Sequence, residues 1–146
     1  MVNDMNEKGF TLVELLATLV ILALVVTVGG VAITKTIKSS KDNNYRVLIE
    51  NIKSAAETYY QECRYMGLDD CPTTADAEGY YSIKLSVLVK YGYLTTNKGN
   101  VLADPRDDNN VYTDCTIRYK YHNNRLEVTT LNTNPACPVT DDFKGE

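Results

Sequence analysis

The chain has no tryptophan, one histidine and two phenylalanines among its 146 residues. The lone histidine, His122, stands among turn-forming residues. A turn histidine of this kind is a poor basis for a zinc site. The four cysteines contain no Cys-x-x-Cys pair, which removes the commonest zinc and dithiol spacings as well. There is no nucleophile with a plausible base, no paired-carboxylate pattern on one element and no glycine-rich phosphate loop, so catalysis has no support. A net charge of −4 argues against nucleic-acid binding driven by bulk charge. No proline precedes Pro72, and no charged residue lies between Leu15 and Ile33.

What is present is as informative. Eleven tyrosines suit a domain whose aromatics are half wet, since tyrosine has an apolar body and a polar tip. The length suggests one domain plus an anchor. The uncharged run from Leu15 to Ile33 is 19 residues, enough to cross a bilayer as a helix. Glu14 stands at its edge, and a charge in such a segment costs about 2.5–3.5 kcal/mol at the centre of a bilayer and less near an interface. Either Glu14 reaches to water at the helix end, or it meets a positive charge on a neighbouring chain.

The stretch Lys8-Gly9-Phe10-Thr11-Leu12-Val13-Glu14-Leu15 resembles the prepilin cleavage and methylation motif of type IV pilins and type II secretion pseudopilins. The resemblance implies that a prepilin peptidase cuts between Gly9 and Phe10, that the new amine of Phe10 is methylated, and that Glu14 assists assembly. The implied cut precedes the apolar run, unlike a secretory signal peptide, whose apolar core is removed. The leader is 1–9, starting at Met1 or at Met5. Lys35, Lys38 and Lys41 follow the run while only Lys8 precedes it, which by charge alone would place the C-terminal part in the cytoplasm. The motif and the four cysteines point the other way, to a C-terminal domain outside.

Along the chain, Tyr45, Leu48, Ile49, Ile52, Ala55, Ala56, Tyr59, Tyr60 and Cys63 recur at three- and four-residue steps, one apolar face of a helix. With no proline to stop it, the spacing predicts a single helix from about Thr11 to about Met66, roughly 80 Å long at 1.5 Å per residue, with Gly67 as its stop. Gly29-Gly30 either marks a flexible or close-packing point or stays helical without consequence. Residues 68–79 read as a loop. Tyr81 to Leu85 reads as a short extended piece leading into a short helix capped by Ser86, packing Leu88 and Val89 inward and ending at Gly92. Val111 to Tyr121 alternates, with Cys115, Ile117, Tyr119 and Tyr121 on one face. Arg125 to Leu131 alternates again, and His122-Asn123-Asn124 between them predicts a β-hairpin. The tail from Asn132 reads as loop, tied down only by Cys137.

Four cysteines allow three pairings. Cys63–Cys71 with Cys115–Cys137 is favoured: the first locks the helix end to the next loop, and the second pins the tail like the C-terminal disulfide loop of many pilins. Asp104, Asp107 and Asp108 gather hard oxygen atoms in one loop, as calcium requires. Some major pseudopilins bind calcium in a comparable loop, but the glycine and distal glutamate of an EF-hand are missing, and a solvated turn is the plainer reading. Arg118, Lys120 and Arg125 interleave with tyrosines as in single-strand nucleic-acid binders. Strand alternation, however, puts the tyrosines on the opposite face, as in a core-facing strand.

The expected architecture is α+β and pilin-like. It has a leader (1–9), a transmembrane assembly half of the long helix (10–33), an amphipathic half (34–66) and a globular region (67–146) with a small antiparallel sheet. The resemblance implies a structural subunit of a type IV pilus, competence or type II secretion-like filament, with no cofactor unless calcium. Its partners would be copies of itself, other pilins, the peptidase, a platform membrane protein with its assembly ATPase, and membrane lipid before assembly. The alternatives are a tip adhesin or DNA-binding module on such a filament, or a lone anchored protein whose motif is accidental.

Overall fold

The computed structural model describes residues 10–130 and 136–144, without the side chains of 28–32. The chain divides into two compact units, Met1–Ser39 and Ser40–Glu146. One helix, α1, runs from Leu12 to Met66 and includes Gly29-Gly30. Gly67, at φ +63°, follows its end, a backbone conformation that glycine adopts without the Cβ penalty.

In the first unit, every described side chain from Phe10 to Thr27 is exposed. Among the described residues no helix is long and apolar enough to cross a membrane. The expected span over 10–33 is therefore not met by what is described. The side chains of its apolar run are described only to Thr27 and again from Ile33.

The second unit is built on the apolar stripe of α1. Tyr45, Leu48, Ile49, Ile52, Ala55, Ala56 and Tyr59 are all buried. Burial of side chains the size of leucine or isoleucine stabilises by about 1.5–3 kcal/mol each. On the other side Lys53 reaches Glu50 at 3.3 Å. The stripe joins one core cluster with residues of three strands: β1 (Tyr81–Lys84), β2 (Thr116–His122) and β3 (Arg125–Thr130). The sheet order is β1-β2-β3, and both pairings are antiparallel. Ile83 faces Ile117, which faces Thr130, and Tyr119 faces Val128. Asn123 and Asn124 form the two-residue hairpin turn at φ +47° and +62°, the geometry that matches strand twist and that asparagine tolerates.

Several boundaries differ from expectation. Strand β2 begins at Thr116, not Val111. Val111 pairs only with Ala103 in an isolated bridge, and the Cys115 N–H turns back to the Tyr112 carbonyl at 2.8 Å. Helix α2 (Leu85–Lys90) starts one residue before Ser86, follows Lys84 directly and has no side-chain cap. The tail is held by more than Cys137. A 3-10 turn at Thr140–Phe143 buries Phe143, Thr140 bonds Thr129 at 2.9 Å, and Tyr45 donates to Asp142 at 2.5 Å.

Candidate functional site

The candidate assembly site is the start of α1. Phe10 is 78% exposed and Leu12 80%. Thr11 caps the helix: the Glu14 N–H donates to its hydroxyl at 3.3 Å and to its carbonyl at 3.1 Å. Thr11-Leu12-Val13-Glu14 is thus half of a capping box, a threonine three residues before a glutamate. The signal for it is in the sequence, as the three-residue spacing of Thr11 and Glu14. Glu14 is exposed in the first turn of α1, where the positive end of the helix dipole favours an anion. Among the described residues its carboxylate makes no hydrogen bond or ion pair, so it is free for a partner. Gly9, on the other side of the expected cut, lies outside the described residues. Beyond Glu14 the surface is aliphatic: Leu15, Leu16, Leu19, Val20, Ile21, Leu22, Leu24, Val25 and Val26 are each more than half exposed. Leucines and valines that face solvent on all sides of a helix are unstable in water without a cover.

The cysteines form both favoured bridges. Cys63–Cys71 has a Cα separation of 5.6 Å and Cys115–Cys137 one of 5.7 Å.

The three aspartates of the acidic loop face different partners. Asp104 is buried and accepts from the Arg106 backbone N–H at 2.8 Å, its guanidinium at 2.9 Å and the Tyr112 hydroxyl at 2.6 Å. Burial alone would raise its pKa, but these bonds outweigh it and hold the carboxyl below the ordinary value. Asp107 turns back to Asn109 at 3.1 Å, and Asp108 faces Lys98 at 3.3 Å. Among the described residues no group of three or more acidic, cysteine or histidine side chains could hold a metal ion.

Arg118 and Lys120 of the hairpin are engaged elsewhere. Arg118 is bonded to Asp76, and to Glu78 at 2.8 Å. Lys120 donates to the Glu78 carbonyl at 3.3 Å and lies 4.6 Å from the centre of the Tyr80 ring. The Tyr80 hydroxyl donates to Glu127 at 2.6 Å, which raises its pKa. Arg125 is exposed at the end of β3, opposite His122. Tyr119 is buried and Tyr121 half-buried, stacked on Tyr60 at 5.1 Å. Among the described residues, Arg118 and Lys120 are thus paired and do not form a bare row of cations beside the tyrosine rings. Asp76 and Glu78, which neutralise Arg118, come from a loop 42 and 40 residues earlier in the chain, so no local pattern announces them.

No curated protein and no solved structure matches this chain. Residues 4–30 match the family model described as the prokaryotic N-terminal methylation motif. The matched segment holds Gly9, Phe10, Thr11 and Glu14 together with most of the apolar part of α1. Over that segment the chain is pilin-like, carrying the prepilin signature of type IV pilins and pseudopilins.

Proposed function

We propose that this chain is made as a prepilin, cut between Gly9 and Phe10, methylated on Phe10 and assembled as a structural subunit of a pilus or secretion-like filament. The observation that carries this is the coincidence of the methylation motif with a helical start whose described side chains, Phe10 to Thr27, are all exposed, uncharged after Glu14, and whose Glu14 carboxylate has no partner among the described residues. Such a surface needs a cover. Membrane lipid supplies it before assembly, and the apolar helices of other subunits supply it afterwards. Glu14 then neutralises the mature amine of Phe10 on an adjacent copy, where low dielectric makes the pair matter. Removing one partner of such a pair strands the other at a cost of about 3–5 kcal/mol. The C-terminal unit, with its two disulfides, sits outside the cytoplasm. A tip adhesin or DNA receptor has less support, because Arg118 and Lys120 already have partners.

The N-terminal peptide mass of the protein from its native membrane tests processing: a chain beginning at methylated Phe10 is expected. A chain still beginning at Met1 or Met5 beside an active prepilin peptidase would overturn the assignment. Glu14→Ala tests assembly. Leader removal should persist while recovery in sheared filaments falls roughly a hundredfold. Filament yield equal to wild type would remove Glu14 from that role.

A further inference from the structure

The two disulfides differ in access and in what depends on them. Cys115 and Cys137 are buried in the core cluster, 3% and 7% exposed, whereas Cys63 and Cys71 are half-buried. Thiol–disulfide exchange needs a thiolate to approach a sulfur, so access ranks the bridges. Cys63–Cys71 closes a short loop, its cysteines eight positions apart, and Asp70 lies beside Cys71 within it. The Asp70 carbonyl accepts the hydroxyl of fully buried Tyr59 at 2.6 Å. Its carboxylate accepts Lys90 Nζ at 2.5 Å and the Tyr91 hydroxyl at 3.0 Å. Asp70 therefore fastens the end of α2 to the end of α1, and the bridge fixes Asp70.

We propose that Cys63–Cys71 is a thiol-sensitive latch, opened by a low-molecular-weight thiol while Cys115–Cys137 stays closed. One thiolate attacks a sulfur of the bridge; the Cys63–Cys71 bond breaks, a mixed disulfide forms and the released cysteine takes up a proton. A second thiol displaces the first as its disulfide and leaves the other cysteine protonated. Two external thiols are oxidised and one protein disulfide is reduced. With the loop open, Tyr59 loses the acceptor of its buried hydroxyl, and Lys90 and Tyr91 lose their shared carboxylate. The segment from Leu88 to Leu94 loosens, while the hairpin and tail remain joined.

The test uses the full chain in detergent micelles, titrated with reduced glutathione, quenched with iodoacetamide and read by peptide mass and amide exchange. Cys63 and Cys71 are expected to alkylate at roughly tenfold lower glutathione than Cys115 and Cys137, with exchange over 88–94 rising roughly tenfold at that first step. Asp70→Ala, with both bridges intact, is expected to reproduce the rise over 88–94. Simultaneous opening of the bridges, earlier opening of Cys115–Cys137, or unchanged exchange after the first step or in Asp70→Ala would each overturn the latch.

Discussion

Arg106 joins α1 to the acidic loop within the second unit. Its guanidinium lies 3.3 Å from the centre of the Tyr45 ring on α1, a cation–π contact, and bonds Asp104, whose side chain is only 4% exposed. Tyr45 continues the chain of contacts to Asp142 in the tail. Asp104→Asn should cost about 2 kcal/mol at neutral pH, less than the 3–5 of a fully buried pair because the Arg106 side chain is 42% exposed. The sign of the pH effect follows from the depressed Asp104 pKa. Its stabilisation is complete above the ordinary carboxylate value of 3.8 and is lost as pH falls through the lower, folded value. Asp70, held down first by Lys90, and Asp76, held down first by the Tyr80 N–H, act in the same direction. The urea midpoint should therefore stay level from neutral pH to about 4 and fall below it. Asp104→Asn should start lower and fall less steeply; an acid limb as steep as wild type would show that Asp104 does not contribute to it. Nothing local in Asp104-Pro105-Arg106 revealed this role. The oxygens were visible, but their taker, Arg106, is positioned by a tyrosine about 60 residues earlier in the chain.

Among the elements, those with strong period and clear ends were legible in the sequence. The α1 stripe, its glycine stop and the Asn-Asn hairpin each carry a local steric reason for their form. Asn123→Val or Asn124→Val should cost about 1–2 kcal/mol, because a β-branched residue is strained at positive φ, whereas glycine at either site should be neutral within error. Chemical denaturation of the two sets of variants checks this. The start of β2 was not legible. Val111-Tyr112 continues the alternation of the strand, yet Tyr112 is drawn inward to Asp104 and the backbone turns before Cys115. The start of α2 differs from the expected Ser86 cap for a related reason: Lys84 passes straight from strand to helix, and the Leu85 N–H finds the Cys115 carbonyl at 2.9 Å across the fold. The bridges permit a quantitative comparison. With cysteines 8 and 22 positions apart, loop-closure entropy assigns about 2.5 kcal/mol to Cys63–Cys71 and about 3.4 to Cys115–Cys137. Replacing the second pair by serine should lower the denaturation midpoint more than replacing the first, and the reverse order would mean that contacts rather than chain entropy decide.

At the scale of the molecule, the core cluster draws all its members from Tyr45 to Phe143, and that range lies wholly within the second unit. Residues 40–146 expressed alone should therefore form both disulfides and unfold cooperatively in plain buffer. Failure to fold without the first 39 residues would show that the apolar segment contributes to the core. The sequence by itself determined the division of labour. A methylation motif, an uncharged run and a three-to-four periodicity are local patterns, and local steric and solvation rules translate them directly into an apolar helix continuing into an amphipathic one. Only the tertiary structure decided which charges are free. Arg118, Lys120 and Asp104 looked available in the sequence, but each is satisfied by groups that folding brings near or turns toward it. Glu14 has no carboxylate partner among the described residues, and burial, not residue type, settles which polar groups have partners left to find.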